Sequence, residues 1–393
     1  MGQAPRPQGQ IILSQTAFLA PSLGIGFAAF HVAFFRWLWR GLHAKAKRQI
    51  FSQETTATIL VAARNEAKNL QRLLPALLGQ SCDKIRLQIV VIDDRSTDGT
   101  DGILSEFADR IEVVRVDELP PGRAPKKHAL NQGLARAKGE FVLQIDADNL
   151  PGPTWASTML SYFGPRTGAV CGLVFHCAKS EGVPAWFHGI WALEATGWAA
   201  VQASAIGAGM PISANGGNLA YRRKAFDSVR GFAGHLGVIS GDDDFLVQSL
   251  ADSGQWEVVS ADAPETLVET APPGSWKEVW EQRKRWGSKC IRYDPKRVGL
   301  LSVVYGSYVW IVASLVWGLW SPWAAFGGAV TLAMVLAEAF FLTLRMARMT
   351  ARSRLLVWFP LAMAVQIPVV VLATLMGTFG RFRWKGQQVG AKA

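Results

Sequence analysis

Four stretches of this chain are long and apolar enough to need a membrane, and they divide everything else. Residues 11–35, "IILSQTAFLAPSLGIGFAAFHVAFF", contain no Asp, Glu, Lys or Arg, and about 20 apolar residues suffice for a helix to cross the hydrocarbon core of a bilayer. Three further runs, residues 299–320, 323–344 and 355–379, lie towards the other end. The polar stretch between them, residues 52–298, is then expected to fold as a soluble domain. Ser321 and Pro322 form a tight turn between two of the runs. Glu338 interrupts the run 323–344, and a carboxylate facing lipid is costly, so it is expected to face protein or the interface.

Charge sets the expected orientation. A secretory signal would also be apolar, but the first run is long for one, with only Arg6 ahead of it and Arg36, Arg40, Lys45, Lys47 and Arg48 behind it. A retained anchor is expected, with the domain on the cytoplasmic face of a cytoplasmic (inner) membrane. Arg345, Arg348, Arg352 and Arg354 mark a second cytoplasmic loop. The last run leaves two alternatives. A full span over 355–379 would carry "RFRWK" and the basic tail 380–393 to the far side, against the charge rule. Pro360 and Pro368 favour instead a re-entrant or surface-lying element that returns to the cytoplasm.

The formal net charge of +11 raises the question of nucleic acid. Much of the excess flanks the apolar runs, where anionic lipid headgroups account for it, so no nucleic-acid partner is expected. Cys82, Cys171, Cys177 and Cys290 show no CxxC pairing, which gives no zinc or disulfide framework.

Within 52–298 the pattern is α/β. Residues 56–63 read as a strand, Glu66–Leu78 as a helix, and Ile89–Ile92 and Ile111–Val116 as strands. Strands alternating with helices imply a mostly parallel central sheet, whose ligands bind beyond the carboxyl ends of the strands. Two strands end in acids there. "VVIDDRSTDGT" places Asp93 and Asp94 after one, and "EFVLQIDADN" places Asp146 and Asp148 after another. Each has a plain structural alternative, as turn and cap residues. Two carboxylates two residues apart can nevertheless hold one hard cation, Mg²⁺ or Mn²⁺, and bridge it to phosphate.

A third cluster, "SGDDDFL" at 240–246, offers closely spaced carboxylates that raise one another's pKa, as a proton acceptor requires. A calcium-binding or solvated loop is the alternative. "EQRKRWGSK" at 281–289 supplies opposite charge. On a helix Gln282, Arg285 and Trp286 share a face; a basic helix on the membrane surface is the other reading.

The ordered set "VVIDDRSTDGT", "PKKHALNQG", "QIDADN", "SGDDDFL" and "QRKRW", flanked by membrane runs, resembles the inverting family 2 glycosyltransferases over about residues 55–290. Its QxxRW motif is similar to that of the membrane-bound branch that includes ceramide glucosyltransferases and cellulose or hyaluronan synthases. The resemblance implies a nucleotide-diphospho-sugar transferase (GT-A-like) fold. It implies that Asp93, Asp94 and Lys126 contact a nucleotide, that Asp146 and Asp148 hold the diphosphate and its Mg²⁺ or Mn²⁺, and that Arg285 faces the leaving group. It aligns the catalytic acidic pair with Asp242 and Asp243, Asp243 as general base. The additional Asp244 leaves the register open by one. Gln282, Arg285, Trp286 and the "NGGNLAYRR" residues Gly216, Gly217 and Asn218 fall on the acceptor side. Sugar transfer from a nucleotide-diphospho-sugar, UDP-linked, to a membrane lipid is the expected activity. A processive polysaccharide synthase and a catalytically inactive membrane scaffold or transport subunit are the alternatives.

Overall fold

The computed structural model describes residues 8–49, 54–177, 182–384 and 387–390. The first residues expected for the soluble domain, 52 and 53, and parts of the basic tail, 385–386 and 391–393, lie outside them. Among the described residues, ten strands build the soluble domain: β1 (Thr55–Ala63), β2 (Ile85–Asp94), β3 (Glu112–Val116), β4 (Phe141–Gln144), β5 (Asn149–Pro151), β6 (Thr167–Cys171), β7 (Val174–His176), β8 (Leu219–Arg222), β9 (Glu257–Ser260) and β10 (Val268–Thr270). Seven form one sheet in the order β3-β2-β1-β4-β8-β6-β9. Only β8 runs against its neighbours, pairing antiparallel with β4 and β6, while β1 lies parallel to β2 and β4. The remaining three form a small sheet, β5-β10-β7.

The strands fall where apolar runs put them. Ile59, Leu60, Val61, Val90, Val91 and Ile92 are fully buried, as befits central strands covered on both faces. Helix α2 (Ala67–Leu78) lays Leu70, Leu73, Leu74 and Leu77 against one face. Helix α3 (Thr100–Ser105) follows β2, and α4 (Pro125–Leu134) covers the other face with Ala129, Leu130 and Leu134. Three short or medium helices complete the domain: α5 (Trp155–Leu160), α7 (Arg223–Ser228) and α8 (Asp242–Asp252).

Two other helices join this domain to the long apolar helices. α6 (Ala185–Gly207) and α9 (Trp276–Cys290) touch both. Sequence periodicity did not single out α6, because it is apolar on nearly every side and rich in Trp and Ala. Its Ala199, Ala200 and Ala203 pack with Phe34, Leu38 and Leu42 of α1 (Gln8–Leu42) and Leu342 and Met346 of α11 (Pro322–Met349). Glycines permit the close approach of α1 and α6: a Cβ on Gly41 would stand 1.9 Å from the Ser204 carbonyl oxygen.

Among the described residues, four segments are long and apolar enough to cross a membrane: Leu19–Leu42, Pro295–Trp317, Pro322–Met349 and Ser353–Phe379. Their limits differ from the apolar runs for identifiable reasons. α1 continues through Arg36 and Arg40, whose long stems let a helix run past the apolar belt. α10 (Pro295–Trp317) begins before its apolar run because Asp294 accepts from the Lys296 and Arg297 amides and Pro295 fits the first turn. α11 is capped by Ser321, which accepts from Ala324 N. A 3₁₀ turn over Ser353–Trp358 precedes α12 (Phe359–Phe379). The strands β11 (Arg381–Trp384) and β12 (Gln387–Gly390) form a short hairpin after it.

α1 and α11 run side by side in the same direction, through Gly24 against Gly327 and His31 against Glu338. Small residues allow that contact, as they do between membrane helices in general. Glu338 faces protein: it meets His31 Nδ1 at 2.6 Å, and His31 Nε2 lies 2.9 Å from Ser307 Oγ of α10.

α12 bears on the alternative left open by its charge. Its start packs near Phe187, Ile190 and Trp191 of α6 through Ala362. Its end meets α9, where a Cβ on Gly377 would strike the Lys284 carbonyl and one on Gly287 would meet Thr374. Lys284 Nζ then donates to the Arg381 carbonyl at 3.2 Å. Both ends of α12 therefore touch helices that border the soluble domain.

Candidate active site

Carboxylates from two distant parts of the sequence meet around one lysine. Lys126, in the first turn of α4, lies 2.6 Å from Asp146 and 3.5 Å from Asp242. Burial alone would push this ammonium down, but Asp146, Asp242 and Asp243 outweigh it and hold its pKa well above the ordinary range. Gln144, the last residue of β4, donates to Asp242 Oδ2 at 2.9 Å and to the Gly216 carbonyl at 3.1 Å. Gln144 was missed, although a glutamine closing an otherwise apolar strand is the signal that could have found it.

The triplet 242–244 is the first turn of α8 rather than a solvated loop. Gly241, at φ 82°, turns the chain into the helix in a conformation that suits glycine, and a helix N-terminus favours negative charge. The three acids then diverge. Asp242 is held ionised: burial would raise its pKa, but Lys126, Lys127 and the Gln144 amide lower it. Asp244 is fully buried; it accepts from Ala214 N at 2.9 Å and from the Tyr293 hydroxyl, and it pairs with Lys289. Asp243 is partly exposed and accepts from Gly216 N at 2.7 Å. Burial first, and then the neighbouring charge of Asp244, pushes its pKa up to about 6, against the pull of Lys289.

Lys127 was missed beside Lys126. It is buried, and its Nζ donates to the carbonyls of His235, Val238 and Ser240 at 2.7–3.1 Å. It thus pins the segment leading into α8. Burial pushes its pKa down to about 8, despite Asp242 and Asp243 nearby. Arg285 of α9 reaches the same segment, donating to Ser240 Oγ at 3.1 Å. Burial lowers its pKa while Asp243, Asp242 and Asp146 oppose that shift.

The glycines expected at 216 and 217 sit inside the cluster. A Cβ on Gly216 would come within 2.9 Å of Gln144 Nε2 and 3.0 Å of Asp242 Oδ2, and one on Gly217 within 2.2 Å of Asn149 Nδ2. Asn218 needs correction as an acceptor-side residue. It is fully buried, donating to the carbonyls of Leu173 and Thr266 and accepting from Trp155 Nε1 at 2.9 Å. Its amide is consumed in holding the loop.

Asp93 and Asp94 end β2, two strands from β4 in the sheet order, or about 10 Å away at ordinary strand spacing. Asp93 accepts from Ser96 N at 3.2 Å, and Asp94 pairs with Arg95 at 2.8 Å. The turn after β2 is tied to the turn after β1: Asn65 N donates to Ser96 Oγ and Asn65 Oδ1 accepts from Thr97 N. Asn65 and Arg95 both hold positive φ, 55° and 58°, a strain typical of functional turns. Gln282 and Trp286 are brought together with Arg283 rather than with the acids: Gln282 Oε1 accepts from Arg283, and the Trp286 ring lies under its guanidinium.

The residues present fit a hard cation. Asp146 and Asp148 form an all-oxygen donor pair in one turn, Asp148 exposed and the Asp146 side chain one-third exposed. Among the described residues no group of three His, Cys, Asp or Glu converges, so a cation held here would draw its other ligands from phosphate and water.

A mostly parallel sheet with acidic turns at its carboxyl edge, backed by a helix carrying Arg285, is a GT-A-like glycosyltransferase fold, here accompanied by four apolar helices that could span a membrane. Residues 58–230 match the family described as Glycosyl transferase family 2. It is 30% identical over 238 residues to the beta-monoglucosyldiacylglycerol synthase of Nostoc, covering 58% of this chain and 47% of that protein. It is 25% identical over 263 residues to the probable glycosyltransferase YdaM of Bacillus subtilis, covering 61% of this chain and 56% of that protein. The chain thus spans about half the length of the curated relatives it matches. In three dimensions it is similar to the mannosyltransferase PcManGT from Pyrobaculum calidifontis, solved with GDP-Man and Mn²⁺. That match has TM-score 0.56 and 22% identity, covering 92% of this chain and 99% of that one, and speaks for the fold.

Proposed function

We propose that this protein transfers a sugar from a nucleotide-diphospho-sugar, UDP-linked, to the hydroxyl of a membrane lipid, with inversion at the anomeric carbon. The observation that carries the reading is the convergence of Asp146, Asp242 and Asp243 around Lys126, closed on one side by the helix that bears Arg285 and packs against α12. A soluble donor and a lipid acceptor can meet there. The beta-monoglucosyldiacylglycerol synthase relative supports a lipid acceptor and makes diacylglycerol the first to test.

The chemistry follows from the charges. Asp93 and Asp94 hold the nucleoside end, and the roughly 10 Å to Asp146 leaves room for a ribose before the diphosphate. Lys126 and Arg285 offset the negative charge that grows on the leaving diphosphate, which stabilises the transition state more than the ground state. Asp146 and Asp148 would hold Mg²⁺ or Mn²⁺, which adds further positive charge at the phosphates. Asp243 takes the acceptor proton as the oxygen attacks the anomeric carbon opposite the departing phosphate oxygen. A pKa near 6 leaves it ionised yet basic near neutral pH. Asp242, ionised and bonded to Gln144, fixes the loop and Lys126.

The membrane arrangement belongs to the same reading. Residues 54–298 face the cytoplasm, and α12 re-enters rather than crosses the membrane, so that the residues following it return to the same side. Its contacts with α6 and α9 support this over a full span. A cysteine at Arg381 should resist a membrane-impermeant thiol reagent applied outside intact cells; labelling there would reverse the assignment. Cys82, partly exposed, is the natural reporter for the domain, since Cys171 is fully buried.

The deciding experiment is transfer by the purified full chain in lipid nanodiscs containing diacylglycerol, with UDP-glucose and GDP-mannose offered in turn. The expected product is a glycolipid of inverted anomeric configuration, read by NMR. Donor hydrolysis without glycolipid, or retention of configuration, would overturn the corresponding part of the reading. A growing polymer would point to processive synthesis, and no donor turnover to a scaffold.

A further inference from the structure

We infer that Arg283, which lies inside the QxxRW segment but is not one of its motif residues, positions Gln282 and Trp286 on the acceptor side, and that Glu194 of α6 holds it in place. This inference rests on the glycolipid reading above.

The geometry is that of a hub. Arg283 Nη1 donates to Gln282 Oε1 at 2.5 Å. Its guanidinium lies over the Trp286 ring at 4.2 Å and over the Trp191 ring at 5.4 Å. Its Nε donates to Glu194 Oε1 at 3.1 Å, and its Nη2 pairs with Glu194 Oε2. Both side chains of that pair are almost wholly buried, 5% and 2% exposed. Trp191, Glu194 and Trp198 recur at spacings of three and four along α6 and meet α9 in order: Trp191 faces Trp276 and Arg283, Glu194 faces Arg283, and the partly exposed Trp198 faces Trp286.

A buried ion pair is a poor device for stability alone, since an apolar pair of similar volume often packs as well. What an apolar pair could not do is meet an amide edge, an indole face and a carboxylate at once. A planar guanidinium with fixed donors can. α9 directs Arg285 and Lys289 at the acid cluster, so one helix carries both the site's positive charge and the seam that reaches the membrane helices. The orientation of the Trp286 indole is thereby set from α6.

The test uses the full chain in phosphatidylglycerol nanodiscs with graded diacylglycerol, UDP-glucose as donor, and Arg283→Lys, which retains the charge but not the planar fork. Expected are a rise of tenfold or more in the diacylglycerol fraction giving half-maximal rate, and a KM for UDP-glucose and a calorimetric Kd for UDP within twofold of wild type. Glu194→Gln should move the same parameter in the same direction, and Glu194→Asp should recover part of it. Acceptor and donor parameters falling together would make the pair merely structural and overturn the inference, as would an unchanged Arg283→Lys. A second measurement needs no substrate. In protein carrying 5-fluorotryptophan, the ¹⁹F resonances of Trp286 and Trp198, assigned through Trp→Phe variants, should shift in Arg283→Lys while that of Trp155 stays fixed. Fixed Trp286 and Trp198 resonances would overturn the inference. Absence of glucosyl transfer in wild type would count against the glycolipid reading and leave this second arm to decide the positioning.

Discussion

The two acidic regions of the domain are held in opposite ways. At the end of β2, Asp93 and Asp94 are bonded by residues within three positions of themselves, Ser96 and Arg95. At the start of α8, the three carboxylates are held by groups from across the chain: Lys126 and Gln144 on Asp242, Gly216 N on Asp243, and Ala214 N, Lys289 and Tyr293 on Asp244. A locally closed turn presents a fixed shape and suits recognition. An assembly of opposed charges separates the protonation of neighbouring acids, which suits proton transfer. In the second region Asp242 is lowered and Asp243 raised, so adjacent identical residues acquire different chemistry.

The largest effect should come from the turn between the two regions. Asp148→Ala should reduce transfer by about 10³ or more, since a cation at the leaving diphosphate is worth several kcal/mol of transition-state stabilisation. Wild-type activity should likewise vanish in EDTA and return with Mg²⁺ or Mn²⁺. Full activity in chelator would remove the metal from the scheme and leave Lys126 and Arg285 to balance the diphosphate charge.

Next in size is the contrast within the triplet. Asp243→Asn should lower turnover by about 10² or more with donor affinity nearly unchanged, because the amide keeps the shape and loses the base. Asp242→Asn should cost less. In wild type the rate should fall as pH drops through about 6, where Asp243 gains its proton, and the Asn variant should lose that acid limb. Stability should move the other way. A carboxyl whose folded pKa is raised contributes stability that is present at low pH and lost as pH rises through the folded value. Asp243→Asn should therefore match or exceed the wild-type Tm at pH 7.5. A dead Asp242 variant beside an active Asp243 variant would shift the base by one residue.

How much of this was legible in the sequence follows the same division. β1, β2 and β3 lie within a few residues of their apolar runs, Asp93 and Asp94 end β2, and Asp146 and Asp148 lie in the turn just after β4. Those features depend on neighbours in the chain. Lys127, Tyr293, Glu194 and Arg283 were not legible, because what defines them is a partner more than 40 residues away. Asn218 was misread for the same reason: nothing in "NGGN" tells a buried structural amide from one that lines a site. The start of α10 shifted because Asp294, ahead of its run, caps the helix before hydropathy rises.

The smallest expected effect sharpens the comparison most. Asp94 is bonded to Arg95 beside it, and its carboxylate is buried at 4% exposure. Asp94→Asn keeps an acceptor oxygen on the same turn and loses only the charge-assisted part of that bond, while the ties from Asn65 to Ser96 and Thr97 remain. A local turn braced by several bonds should tolerate the change. The expected result is a rise of about three- to tenfold in donor KM, the worth of one weakened charged hydrogen bond, with kcat and its pH limb unchanged. Unchanged kcat beside a raised KM is the mark of an interaction made equally in the ground and transition states. Should Asp94→Asn instead lower kcat as far as Asp243→Asn while leaving KM alone, the turn after β2 would be part of the proton-transfer machinery. The contrast between a recognition turn and a catalytic charge assembly would then fail.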